Sequence, residues 1–258
     1  MPEAAGISYT VAGGRSAPSR PPLVLVHGAG GSRLQWPAAL RRLEGWTVYS
    51  LDLPGHGRSS GPGEKTIESY VGRVLGWAEA LRLGPAVLVG HSMGGAIAML
   101  LALTAPERAA GLILIGSGGR LRVNSLILEG TTSPDGLREA VDLVVAWAFG
   151  RQAGSRVVSQ SLREMMKTPA PVLHGDFQAC DRFDVMDRLC QITTPTLVVC
   201  GREDRLTPER YSRALAERIP RACLELVEGA GHMVMLERPA EMAKAVRAFV
   251  EGVFPTRA

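Results

Sequence analysis

The stretch 86–105 limits the fold more than any other part of the chain. It opens with Ala-Val-Leu-Val, an apolar and β-branched run that a sheet can bury on both faces, and reaches Gly90-His91-Ser92-Met93-Gly94-Gly95. The residues after it, Ala-Ile-Ala-Met-Leu-Leu-Ala-Leu-Thr-Ala, have the composition of a buried helix. A strand that becomes a helix within so few residues must reverse sharply, and the glycines remove Cβ atoms that would collide at the corner. Such a corner lifts the Ser92 hydroxyl out of the core and turns the helix N-terminus toward any negative charge that develops beside it. Ser92 is therefore the candidate nucleophile, at a nucleophile elbow.

The Gly-x-Ser-x-Gly pattern alone carries little, because Gly57-Arg58-Ser59-Ser60-Gly61 matches it as well. That copy follows Pro54-Gly55-His56 and runs into Pro62-Gly63, with neither a strand before it nor a helix after it, and reads as a loop. His56, between two glycines, reads as a loop residue rather than a base. A Gly-rich turn at His27-Gly28-Ala29-Gly30-Gly31-Ser32 follows the apolar run 23–26. It does not complete a dinucleotide fingerprint, since Arg33 stands where the third Gly belongs, and no Gly-Lys-Ser/Thr occurs anywhere. Backbone N–H groups beside such a turn also suit an oxyanion hole.

Strands are expected at 7–12, 23–26, 46–51, 86–90, 111–116, 195–201 and 222–227, and helices at 34–44, 66–83, 96–105, 209–218 and 240–250, with a Pro/Ser/Gly loop at 13–22. Alternation of strand and helix argues for an α/β fold with a mostly parallel sheet covered on both faces. The alternation stops between 119 and 194, where amphipathic stretches such as 137–149 and 156–166 replace it. We read one core domain, 1–118 with 195–258, interrupted by a helical lid insertion over 119–194.

Composition excludes several functions. Of 29 basic residues only Lys65, Lys167 and Lys244 are Lys; the arginines are scattered and no nucleic-acid motif accompanies them, so nucleic acid is not expected as a partner. The four cysteines form no Cys-x-x-Cys pair and have no metal-ligand spacing with the five histidines. The N-terminal residues lack the pattern of a secretory signal, and no apolar run reaches the roughly 18 residues of a membrane span. A cytoplasmic location is the expectation.

Two further loops complete a constellation. Gly201-Arg202-Glu203-Asp204 and Gly229-Ala230-Gly231-His232-Met233 each follow an expected strand, at the sheet edge where open α/β folds place their sites. A serine needs a base to take its proton, and an imidazole needs a carboxylate to fix its tautomer. With His27-Gly28, 52–59, 90–94 and these two loops in this order, the chain resembles the α/β-hydrolase fold superfamily, in its bacterial carboxylesterase-like branch.

The resemblance implies that Ser92 is the nucleophile, His232 the base and then acid, and Asp204 the orienting carboxylate. Glu203 competes, but the family's acid comes three residues after the Gly. The resemblance also implies an oxyanion hole from the N–H groups of Ala29 and Met93, a small-molecule ester substrate, and no cofactor or metal. Most apolar groups of the insertion, Leu126, Ile127, Leu128, Trp147, Phe149, Met165, Met166 and Phe177, are expected in the lid's own core and a few in an acyl pocket. C–C bond hydrolases, enol-lactonases and perhydrolases share the triad, and the fold also serves non-catalytic ligand binding. Met233 rather than Trp after His232 favours an apolar ester over a dianionic dienoate, although Arg163 and Arg182 keep part of the C–C hydrolase pattern open.

Overall fold

The computed structural model describes residues 2–13 and 20–255. The loop expected at 13–22 falls, for residues 14–19, outside the described residues. Eight strands form one sheet: β1 (Glu3–Ala4), β2 (Ile7–Ala12), β3 (Leu23–Val26), β4 (Val48–Leu51), β5 (Ala86–His91), β6 (Ala109–Ile115), β7 (Thr196–Gly201) and β8 (Ala222–Val227). Their spatial order is β1-β2-β4-β3-β5-β6-β7-β8. The β1/β2 and β2/β4 pairs are antiparallel and the remaining pairs are parallel.

The helices are α1 (Ala38–Arg41), α2 (Ile67–Ala80), α3 (Met93–Thr104), α4 (Ser125–Gly130), α5 (Pro134–Ala148), α6 (Ser155–Met165), α7 (Ala170–Arg182), α8 (Glu209–Arg218), α9 (Val234–Glu237) and α10 (Pro239–Val253). Strand side chains alternate between two buried clusters. Val24, Val26, Leu88, Leu112 and Leu114 pack with α2, α3 and α8. Leu23, Leu25, Val87, Val89, Ile113 and Ile115 pack with α1 and α10. The register explains the sorting, since Leu23 lies opposite Val87 and Val24 opposite Leu88. Continuous burial of β3, β5 and β7 thus follows from helices on both faces.

Several boundaries differ from the sequence expectation. The helix expected at 34–44 is a 3₁₀ turn (Arg33–Gln35) followed by the short α1, because Pro37 has no N–H to continue a helix and occupies the N-cap. The expected strand 46–51 begins only at Val48, and the two-residue β1 was not anticipated. Helix α2 is shorter than 66–83: Thr66 caps it by accepting from Ser69 N–H, and Arg82 has left the helical region at φ 51°. Between β6 and β7 the chain forms α4–α7 and a 3₁₀ segment, and one isolated antiparallel bridge joins Arg120 to Asp184 at the base of this segment.

The chain runs from β3 to β4 toward one edge and from β5 onward toward the other. Strand order therefore reverses between β3 and β5, where open α/β sheets leave a crevice at the strands' carboxyl ends. The turns after these two strands hold Ala29 and Ser92.

Candidate active site

Ser92 adopts φ 53° and ψ −115°, a backbone conformation that costs energy for any residue with a side chain. Close approach maintains it. A Cβ on Gly94 would lie 2.1 Å from the Val26 carbonyl oxygen, and one on Gly90 would lie 2.2 Å from the Gly94 carbonyl oxygen. The corner therefore brings β5, α3 and the end of β3 into backbone contact. Ser59 is held differently: its hydroxyl donates to the Asp52 carbonyl at 2.5 Å and accepts from Ser8 N–H at 2.8 Å.

His232 and Asp204 meet at the end of the sheet, with Nδ1 of the imidazole 2.9 Å from Asp204 Oδ2. Three further donors reach the carboxylate. Leu206 N–H and Thr207 N–H bond Oδ1 at 2.9 and 2.8 Å, and the Thr207 hydroxyl bonds Oδ2 at 2.8 Å. A carboxylate only accepts, so His232 carries its proton on Nδ1 and leaves the Nε2 lone pair available. Glu203 faces away, accepting from Arg151 N–H at 2.8 Å, a contact that with the Arg151 charge holds its carboxyl below the usual range.

Ser92 and His232 share the lining of two adjoining chambers. One, of about 170 Å³, is walled by Val145, Phe149, Val157, Met165, Leu236 and other largely apolar groups. The second, of about 330 Å³, is bounded by Ile127, Trp147, Phe177, Arg122 and Arg205. Both guanidinium groups are engaged at helix ends, Arg122 with the Asp181 carbonyl and Arg205 with the Ala146 carbonyl. Arg163 and Arg182 are exposed and line neither chamber, while Leu126 points to solvent.

Ala29 also lines both chambers, and Met93 opens α3 directly after Ser92. Among the described residues neither amide donates to another protein group. The turn bearing Ala29 is fixed by side chains. His27 Nδ1–H donates to the Gly28 carbonyl at 2.8 Å while its Nε2 accepts from Leu53 N–H, and Gln35 Oε1 accepts from Gly28 N–H at 3.4 Å. Burial, reinforced by the neighbouring His56, lowers the His27 pKa to about 4, consistent with a neutral ring.

His91 is likewise neutral. Its Nε2–H donates to the His232 carbonyl at 3.1 Å and its Nδ1 accepts from Gln35 Nε2 at 3.1 Å. Burial first, and then the adjacent His232, push its pKa well below the ordinary histidine value. His91 thus ties the elbow to the loop that carries His232.

Sequence reasoning did not find Gln35, Thr207, Asp176 or Glu237. Glu237 accepts from both Gly150 N–H and Gly231 N–H at 2.9 Å, joining the end of α5 to the residue before His232. Each of these residues also has a partner distant in sequence, Gln35 at His91, Thr207 at His232, Asp176 at Gly30 and Glu237 at Gly150, which no local motif marks. No cluster of metal-ligating groups occurs among the described residues, and no helix there is long and apolar enough to cross a membrane.

The sequence profile of the α/β-hydrolase fold matches residues 21–239. A thermophilic esterase of known structure is 32% identical, with a TM-score of 0.81 over 96% of this chain and 98% of that one. The enol-lactonase of Burkholderia xenovorans LB400 is 26% identical, with a TM-score of 0.86 over 95% of this chain and 96% of that one. The pimeloyl-(acyl-carrier protein) methyl ester esterase of Neisseria meningitidis is 28% identical over 89% of this chain and 76% of its own length. With its eight-stranded, mostly parallel sheet and a profile match across most of its length, the chain belongs to the α/β-hydrolase fold family.

Proposed function

We propose that the protein is a serine ester hydrolase acting on carboxylic esters with small to medium apolar acyl groups, through an acyl-enzyme on Ser92. The observation that carries the reading is the Asp204–His232 hydrogen bond beside a strained serine whose chambers are also lined by Ala29. Esterases among the relatives support hydrolysis of this bond class.

In the proposed mechanism Ser92 Oγ attacks the ester carbonyl while His232 Nε2 takes its proton. The imidazolium forms against Asp204, which remains ionised. Negative charge on the carbonyl oxygen falls to the Ala29 and Met93 N–H groups, at the positive end of α3. Collapse of the tetrahedral intermediate expels the alcohol, protonated by His232, and leaves the acyl group on Ser92. Water, deprotonated by His232, then attacks the acyl carbonyl and releases the carboxylic acid and the serine.

The two chambers meet at Ser92, so acyl and alcohol portions can lie on opposite sides of the scissile carbonyl. The walls of the smaller chamber suit an apolar chain. Helices α4–α7 act as a cover over both. Lactone hydrolysis is a second reading on the same residues, favoured by the likeness to an enol-lactonase, since a lactone is an internal ester. Against C–C cleavage of a dienoate stand Arg163 and Arg182, which lie away from the chambers, and the carbonyl contacts that engage Arg122 and Arg205 in the wall of the larger one.

A panel of p-nitrophenyl acyl esters, a lactone and a ring-fission dienoate, with Ser92→Ala as control, tests the proposal. The expected result is kcat/KM for short to medium esters at least about 10³-fold above the dienoate. Comparable efficiency on the dienoate, or no ester turnover by folded protein, would overturn it.

A further inference from the structure

Gly30 follows Ala29 and is held from both sides by the segment inserted between β6 and β7. Its N–H donates to Asp176 Oδ2 at 2.8 Å, and its carbonyl accepts from the Thr168 hydroxyl at 3.2 Å. The Gly30 N–H belongs to the peptide plane that begins at Ala29. Only the φ and ψ of Ala29 therefore separate this anchor from the plane containing the Ala29 N–H.

Asp176, on α7, is fully buried, and two core side chains hold its carboxylate in addition to Gly30. Tyr70 O–H donates to Oδ1 at 2.5 Å, and His56 Nε2 lies 2.8 Å from Oδ2. The other ring nitrogen of His56 lies 3.0 Å from the Pro54 carbonyl. Both nitrogens face acceptors, so the ring is an imidazolium paired with a buried carboxylate. Burial alone would lower the His56 pKa, but Asp176 outweighs it and the value is raised. Neither Asp176, His56 nor Tyr70 lines either chamber, so the cluster lies behind the Gly-rich turn and cannot touch substrate.

We infer that Asp176 is a positioning residue for the oxyanion-binding turn. Its carboxylate, supplied by the cover rather than by the sheet and locked by His56 and Tyr70, sets the Gly30 peptide and thereby the direction of the Ala29 N–H. This rests on the ester-hydrolase reading above. Its consequence is that the cover is part of the catalytic assembly: displacing α7 would release the turn that stabilises the oxyanion.

The test compares Asp176→Ala, Asp176→Asn and Thr168→Val with the unaltered protein. It measures kcat and KM on one p-nitrophenyl ester and inhibition by an alkyl trifluoromethyl ketone, which forms a tetrahedral oxyanion adduct on serine. Loss of a whole oxyanion donor costs about 10²–10³ in kcat, so a misdirected one is expected to cost about 10–100-fold in Asp176→Ala. KM should move by less than about threefold, and ketone affinity should fall by the same factor as kcat. Asn keeps an acceptor for Gly30 N–H and should recover most of the loss. Thr168→Val should lose about threefold or more in both quantities.

Unchanged kcat in folded Asp176→Ala would overturn the inference, as would a loss of kcat with unchanged ketone affinity. If Asp176→Ala does not fold, Thr168→Val decides by the same parallel. Absence of both turnover and ketone binding in the unaltered protein would instead strike the ester-hydrolase reading, and this inference with it.

Discussion

Replacing Asp204 by Asn tests the acid through a consequence that hydrogen-bond geometry dictates. Oδ1 of Asp204 accepts from two backbone amides, Leu206 N–H and Thr207 N–H, which have no alternative role as acceptors. An Asn here must therefore place its carbonyl oxygen at the Oδ1 position and its NH₂ at the Oδ2 position. The NH₂ then faces His232 Nδ1, now 2.9 Å from a donor, while the Thr207 hydroxyl can rotate to accept. His232 is forced to carry its proton on Nε2, and no lone pair remains to take the Ser92 proton. A tautomer error of this kind costs about 10⁴ in kcat, equivalent to roughly 5 kcal/mol of barrier. Most of the hydrogen bonds survive, so the fold should persist with an ordinary loss of about 1–2 kcal/mol. The assay is steady-state hydrolysis of a p-nitrophenyl ester, paired with urea unfolding and with Glu203→Gln, whose carboxylate serves Arg151 instead. Asp204→Asn within tenfold of the unaltered protein, or Glu203→Gln as damaging as Asp204→Asn, would refute the reasoning.

Gly94→Ala should lose stability and activity together, because its new Cβ would meet the fixed Val26 carbonyl, and a packing penalty of about 1–3 kcal/mol exceeds the helix-propensity gain of about 1 kcal/mol. Gly72→Ala in α2 meets nothing within 4 Å and should instead gain up to about 1 kcal/mol in urea unfolding. Glu237→Ala leaves Gly150 N–H and Gly231 N–H without their acceptor and should cost about 1–3 kcal/mol, with reduced turnover because Gly231 precedes His232.

Stability measured against pH should peak near 6.5. The raised pKa of His56 stabilises fully below the unfolded value of 6.5 and is lost as pH rises through its folded value. Neutral His27 and His91 exclude protons that the unfolded chain takes up below 6.5, a loss that continues toward about pH 4 for His27. A flat profile between pH 5 and 8 would contradict these charge states.

Local signals in the sequence were strong where one element decides its own structure. The strand Ile7–Ala12, the apolar runs of β3 and β5, and the bounds of α8 and β8 were legible because local composition and flanking turns suffice there. Pro37 shortens the helix expected at 34–44, because it has no N–H with which to continue one. The preference for Asp204 over Glu203 came from the resemblance, and in the structure the two carboxylates bond different partners, His232 and Arg151 N–H. Asp176 was not legible: an Asp inside an amphipathic helix carries no sign that His56, 120 positions earlier, will face it. From its flanking glycines His56 looks like an ordinary loop residue, and only the packing of α7 against the Gly-rich turn brings it the Asp176 carboxylate.

Trapping the covalent intermediate tests the central claim most directly. The protein would be mixed with a p-nitrophenyl ester that deacylates slowly, quenched in acid, and examined by intact mass and peptide mapping. An acyl group on the peptide containing Ser92, formed in a burst of p-nitrophenol and absent in Ser92→Ala, is the predicted result. Turnover without acylation, or an acyl group retained in Ser92→Ala, would contradict an acyl-enzyme on Ser92.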